Sequence, residues 1–389
     1  MAARWILPLL AVVVRVAIAL ATRHVEFDVR VMFAMRRALL EHGFQAYGHV
    51  REWVYPPGFM PWVLGGVWIG DHLGLPRDFI LRVPSILADG ALTFLVIDAL
   101  ERRGASGRLV FGAASLVAFG PMFLAVSSYQ GQIDTLAILP AATAVLLWSR
   151  PRTPARAVVC GSLIGIGAAL KTVPGFMVLA LLATARSTLE RAVLVATTVA
   201  VPSLALLPFL LADSGGAGRV LQYAGIPGLG GWSLVIQPSV TRFWLLGEPF
   251  DLAPMTKVLY LCGALASLAG LALTSALLVR RRRAPVEAAG AVWLSVYSFA
   301  VAFFPQYTTW GLPFLLMAGR LREVALVSAL LVPITWIIIM PRPLASPQLV
   351  SLYQACALAM HLIFVGMWLR EVVDLWRGRP DGASSPRAV

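Results

Sequence analysis

Charge is scarce in this chain: only 13% of its 389 residues are Asp, Glu, Lys or Arg, roughly half the share with which a soluble domain covers its surface. That shortfall excludes a surface built mainly for water. Lysine is scarcer still, for Lys171 and Lys257 are the only two among 32 basic residues. A bias of this kind reflects base composition more than function, but it draws the eye to a lysine in an unusual place. Cysteine is limited to Cys160, Cys262 and Cys356, all inside apolar segments at unrelated spacings. No disulfide framework or cysteine metal site follows from them. A nucleotide-binding glycine motif is missing, and no repeat covers the chain. What is abundant is apolar: 59% of residues, with a mean hydropathy of +0.80. It comes in runs of roughly 17 to 25 residues, the length of a bilayer-spanning helix.

The net formal charge of +13 does not point to nucleic acid. The arginines stand in short loops between apolar runs, which is the positive-inside pattern of membrane proteins. The first apolar stretch, 5–22, carries Arg15 and no small-residue cleavage site. It is expected to stay as a span and not to be removed as a targeting segment.

Hydropathy places spans at 5–22, 79–99, 109–126, 133–149, 156–170, 174–185, 192–212, 256–279, 286–304, 309–319, 323–340 and 349–369. The stretch 57–73 is decided by parity. If it crossed, Arg102, Arg103 and Arg108 would fall outside and every later basic loop would be inverted. Laid in the outer interface, it leaves all the basic loops inside together. The expected fold is therefore all-α and polytopic, with about twelve transmembrane helices, both termini inside, and juxtamembrane helices in the first outer loop. One transmembrane domain is expected over 1–376, with large outer loops at 23–78 and 213–255. A disordered cytoplasmic tail is expected over 377–389.

Polar groups at membrane depth are costly, and by default they face a cavity or a partner. Here they gather on the outer side. Glu26 and Asp28 follow the first span, where a carboxylate can act as a base or simply start the next helix. Arg30, Arg36 and Arg37 lie on an expected amphipathic helix, 29–42, and suit either a phosphate or lipid headgroups. Tyr55-Pro56-Pro57 turns the chain into the juxtamembrane helix. Arg82 and Asp89 are two turns apart on one face of the second span. The turn from Ser127 to Asp134 holds five hydrogen-bonding side chains, Gln132 among them, plus an acid. Spans 156–170 and 174–185 are short and meet at Lys171-Thr172-Val173-Pro174, which draws Lys171 below the surface and asks for an anion such as phosphate. The second large loop contributes Gly225 to Gly231, Trp232, Gln237, Arg242 and Trp244. The segment Phe304 to Trp310, with Gln306 and Tyr307, breaks a late hairpin.

Taken in order, these features resemble the GT-C superfamily of membrane glycosyltransferases over about residues 1 to 320. They are an acid after the first span, Tyr-Pro-Pro, an Arg with a downstream Asp, Gly-Gln-Ile-Asp, Lys-x-x-Pro, a long outer loop and Pro-Gln-Tyr-x-x-Trp-x-x-Pro. The nearest likeness is to the dolichol-linked glucosyltransferases of asparagine-glycan assembly and to the mannosyltransferase that begins GPI-anchor elongation, with bacterial relatives acting on envelope glycans. The resemblance implies an inverting transfer from a polyprenyl-phosphate sugar at the outer face of the cell membrane to a glycan or glycolipid hydroxyl. By position, Asp28 matches the general base, with Glu26 as its competitor. Tyr55, Gln132, Asp134, Lys171, Gln306 and Tyr307 match binding positions. Departures exist: the glucosyltransferases carry a longer aromatic and histidine-bearing polar turn, and the GPI enzyme an Arg-Gly-Asn version. The sugar does not transfer with the resemblance, although a hexose, mannose foremost, or a pentose is expected.

In this reading Lys171, aided by Arg82, Arg36 or Arg242, seats the leaving phosphate. No cofactor is expected; a divalent metal is left open, since the acids are too few and scattered to assign one. A flippase for polyprenyl-linked sugars would use the same cations without chemistry, and an inactive accessory subunit is a further alternative.

Overall fold

The computed structural model describes residues 3–22, 26–150, 153–222, 228–248, 255–339, 344 and 346–378. Every regular element among them is helical. The first described helix is α1 (Ala3–Ala21), and the segment after it folds into α2 (Phe27–His42), α3 (Ala46–His49) and α4 (Met60–Leu73). α5 (Arg77–Arg102) is followed by α6 (Gly107–Phe119) and α7 (Pro121–Leu124). A π-helical turn over Ala125–Gln130 extends α7. Next come α8 (Asp134–Trp148), α9 (Pro154–Leu170), α10 (Met177–Thr184) and α11 (Thr188–Ala212). A second long segment supplies α12 (Ser214–Gln222), α13 (Trp232–Ile236) and α14 (Ser239–Leu246). The remainder is α15 (Met255–Arg281), α16 (Pro285–Phe299), α17 (Thr308–Met317), α18 (Leu321–Ile339) and α19 (Pro347–Arg377).

Among the described residues, seven helical stretches are long and apolar enough to cross a bilayer: Arg4–Ala21, Arg77–Arg102, Gly107–Gln130, Thr188–Ala212, Tyr260–Arg281, Leu321–Ile339 and Pro347–Arg377. They mark a membrane protein. The other five expected spans fold as shorter helices, α8, α9, α10, α16 and α17. The expected interfacial stretch 57–73 is a 3-10 turn, Pro57–Phe59, leading into α4. Of the expected tail, Arg377 ends α19 and Gly378 caps it in the left-handed region. Residues 379–389 lie outside the described residues, as does His24.

Local chemistry sets many of these boundaries. Ser106, Thr153, Ser187 and Ser346 each accept a backbone N–H three residues on, satisfying an orphan donor at the start of α6, α9, α11 and α19. Close helix packing is written in glycine: on α9, a Cβ at Gly161 would sit 2.0 Å from Thr197 Oγ1, and one at Gly165 2.9 Å from Val201 Cβ. This is the small-xxx-small spacing by which membrane helices approach.

Arg15, the charge inside the first span, is fully buried. Its Nε lies 2.6 Å from Asp89 and 3.2 Å from Ser127 Oγ, and its terminal nitrogens donate to the carbonyls of Ala11, Val117 and Ala118. Arg82 and Asp89, seven residues apart in α5, do share a face of it, but they answer different partners. Asp89 serves Arg15, whereas Arg82 approaches Asp78 at 3.8 Å. The reason is reach, for α1 lies against α5 and brings a second arginine to Asp89 at the same depth.

Two cores result. The larger joins the long helices. The smaller belongs to the two long connecting segments: Met32 and Met35 of α2, Tyr47, Trp53, Phe59 and Val63 pack with Phe209 of α11 and Ala217 and Val220 of α12. The second of these segments is sewn to the bundle where α16 stops. The N–H groups of Trp232 and Ser233 donate to the freed carbonyls of Ala300 (3.1 Å) and Val301 (2.9 Å). Gly231, at φ 67° and with Ala300 O 2.3 Å from where a Cβ would lie, permits that approach.

Candidate functional site

Between these segments opens a cavity of about 890 Å³, within the usual size for small-molecule sites. Its wall is polar at Glu26, Asp28, Arg30, Glu52, Gln132, Lys171 and Gln306. It is apolar at Leu245, Val296, Phe304 and Ile337 to Ile339.

Asp28 occupies the first turn of α2, while Glu26 is the N-cap residue and makes no side-chain cap. Asp28 is therefore not spent on starting the helix. Its carboxylate meets the Tyr55 hydroxyl at 3.3 Å and hydrogen-bonds the Gln132 side chain. Tyr55 is held from behind, since Tyr47 Oη and Trp53 Nε1 each donate to its carbonyl at 2.8 Å. Its own hydroxyl also lies 3.0 Å from Gln132 Oε1. A phenol has one proton, so it alternates between the two acceptors.

Gln132 is aimed by the π-helical turn. Its backbone N–H closes the turn onto Val126 O at 2.9 Å, and Gly131 stands at φ 74°. A Cβ there would meet Val29 Cγ2 at 2.8 Å and Arg82 Cγ at 3.3 Å. Glycine thus lets the polar turn close against α2 and α5.

Desolvation by burial raises the Asp28 pKa to about 6. The Lys171 ammonium and the bonds from Gln132 and Tyr55 pull it back, while the Asp134 carboxylate adds to the rise. A carboxylate poised there is ionised near neutrality yet still basic enough to take a proton.

Lys171 follows the last residue of α9, its N–H capping Gly167 O at 2.9 Å. The ammonium donates to Asp134 Oδ1 at 2.7 Å and lies 5.3, 5.6 and 5.0 Å from the rings of Tyr55, Tyr307 and Trp310. Trp310 Nε1 also donates to Asp134 Oδ1, and its ring stacks on Tyr307 at 4.0 Å. Buried Lys171 was expected to ask for an external anion, but its first partner is internal. An ammonium has three donors, and the ion pair with Asp134 uses one.

Seven of the ten singled-out residues line this cavity: Asp28, Glu26, Tyr55, Gln132, Lys171, Gln306 and Tyr307. Asp134 stands one contact behind, through Lys171. Arg82 is corrected to a brace. It is fully buried, and Nη1 reaches the carbonyls of Ser128 (3.0 Å) and Thr22 (3.2 Å), the freed backbone ends of the π-helical turn and α1. Arg242, expected to assist there, does not line the cavity: it is exposed and bonded to Glu248 at 2.7 and 2.6 Å. Trp244 and Leu245 of the same helix, α14, do line it, while Arg242 turns to this solvated carboxylate. Arg36 faces a different groove. Glu52 was missed by sequence reasoning, because a lone exposed acid in a loop gives no signal. Among the described residues, no group of three or more His, Cys, Asp and Glu side chains is placed to hold a metal ion.

No protein-family profile matches the chain, and no curated protein sequence matches it.

Proposed function

We propose that the protein is an inverting glycosyltransferase of the GT-C type, moving a sugar from a polyprenyl-phosphate donor to a hydroxyl of an envelope glycan or glycolipid. The observation that carries this reading is one cavity in which a carboxylate with a pKa near 6, Asp28, and the Lys171 cation meet about the Tyr55 side chain, in a wall that is otherwise largely apolar. A donor with a charged head and a hydrocarbon tail matches that mixture of chemistry.

In the reaction, Asp28 takes the proton of the acceptor hydroxyl as its oxygen attacks the anomeric carbon. The anomeric C–O bond to phosphate breaks on the opposite face, its electron pair leaving with polyprenyl phosphate, so configuration inverts. The leaving phosphate gains a negative charge, which the two remaining Lys171 donors and Arg30 at the cavity wall would stabilise. Gln132 and Tyr55 hold the Asp28 carboxylate in its acceptor orientation.

The same reading takes the chain as crossing the cell membrane twelve times, the five short helices completing the seven long ones. Both termini are then cytoplasmic and the cavity extracytoplasmic. Labelling of cysteines introduced at 28, 132 and 171 from the outside tests this placement, and protection of all three while cytoplasmic loops label would sink it.

The activity test supplies purified protein with polyprenyl-phosphate hexoses, mannose first, and glycolipid acceptors. Release of polyprenyl phosphate that is abolished in Asp28→Asn, with donor binding retained, supports transfer. Donor translocation that survives Asp28→Asn would instead identify a flippase, which needs no base.

A further inference from the structure

A second cavity lies on another face of α2. It measures about 420 Å³ and is lined by Phe33, Arg36, Arg37 and Leu40 of α2, Val67 of α4 and Arg77 of α5. The four α2 residues follow the i, i+3, i+4, i+7 spacing of one helical stripe. Asp28 precedes Phe33 by five residues, roughly 140° around the axis. The groove and the candidate active site therefore sit on different sides of the same helix.

The three arginines are not equivalent. Arg77 is engaged, donating from Nε and Nη2 to the Asp71 carboxylate at 2.5 and 3.0 Å. Arg36 has a buried Nε with no hydrogen-bond partner among the described residues, and Arg37 is exposed. The one acid in the wall, Glu41, is exposed and lies 3.8 Å from His42 Nε2. An unmatched Nε matters, because the Nε–Nη edge of a guanidinium is one of the two forks that grip a phosphate bidentately.

We propose that this groove seats the phosphate of an anionic lipid headgroup, gripped by Arg36 and Arg37, with the lipid's apolar part lying on Phe33, Leu40 and Val67. The occupant is a lipid and not a free phosphate, because three of the seven lining residues, Phe33, Leu40 and Val67, are apolar. The adjoining α4 also turns Trp68 and Leu73 outward, 58% and 67% exposed, as a helix at a membrane interface does. The proposal does not depend on the transferase reading.

Native mass spectrometry of the full chain in detergent, titrated with phosphatidylglycerol or phosphatidylcholine, reads the site directly. The wild type should bind phosphatidylglycerol about tenfold more tightly, the worth of one charge-assisted pair. Arg36→Gln with Arg37→Gln should erase that preference, while Arg322→Gln, at an exposed arginine elsewhere, should keep it. If the double variant does not purify monodisperse, Arg37→Gln alone should weaken phosphatidylglycerol about threefold. Equal affinity for the two lipids, or an unchanged preference in the variants, overturns the proposal. So does displacement of phosphatidylglycerol by millimolar inorganic phosphate, which would make the ligand a soluble anion.

Discussion

Lys171 and Asp134 form a 2.7 Å ion pair at the meeting of α8 and α9, with Trp310 donating to the same carboxylate oxygen. The two side chains are 10% and 0% exposed. Among the described residues neither side chain forms a second ion pair, although the Lys171 charge also acts on Asp28.

Removing one partner strands a buried charge. Asp134→Leu or Lys171→Met alone should cost about 3–5 kcal/mol. The double variant should recover much of that and still fail to transfer sugar, because the phosphate seat is gone. Thermal unfolding in detergent beside a donor-release assay separates the two effects. A stable, active Lys171→Met would refute the assigned role.

Arg15 and Asp89 obey the same logic outside the cavity wall. Their 2.6 Å pair, with the carbonyl bonds around it, joins α1, α5 and the end of α6. Arg15→Met should destabilise by about 3–5 kcal/mol, and Arg15→Met with Asp89→Leu should be much milder. Donor affinity of the folded fraction should not change, since neither residue lines the cavity. A large loss of affinity in a well-folded variant would contradict that assignment.

The pH dependence follows from Asp28. Its pKa is raised from 3.8 to about 6, and only the ionised form accepts a proton. Transfer should rise with pH through about 6 and then level off. Stability runs the other way. Between the unfolded and folded values the native state binds the extra proton, so this group's contribution is full at low pH and is lost as pH rises through the folded pKa. Asp28→Asn should therefore be inactive yet more stable than wild type at neutral pH, by on the order of 1 kcal/mol once the carboxylate's partial exposure to the cavity is discounted. A pH-rate profile flat from 5 to 8 under chemistry-limited conditions would remove Asp28 as the base.

Gly131→Ala tests how the polar turn is held. The substitution puts a Cβ 2.8 Å from Val29 Cγ2 at a backbone φ of 74°, which should cost about 1–3 kcal/mol. Val29 adjoins Asp28, so transfer should fall further than donor affinity. Wild-type kinetics in this variant would show that the turn does not position the carboxylate.

Arg242→Gln should leave transfer and thermal stability close to wild type, within about twofold in rate, because an exposed arginine paired to Glu248 contributes little. A donor-binding defect there would restore it to the site.

Hydropathy alone carried the membrane assignment and the helical class, because a lipid environment allows few ways to satisfy a backbone and writes them as long apolar runs. The same logic exposed Asp28, Gln132, Asp134 and Lys171, since polar side chains between apolar segments stand out one at a time. Pairing was beyond it. The identity of each charge's neighbour depends on which helix lies against which, and that is a property of packing. Tertiary structure gave Asp134 to Lys171, Asp89 to Arg15, and backbone carbonyls to Arg82. It sent Arg242 to solvent and turned Glu52 inward to the cavity wall. It also produced the π-helical turn that aims Gln132, for which no residue pattern is diagnostic. Sequence shows that a charge is out of place in lipid; only the folded chain decides what answers it.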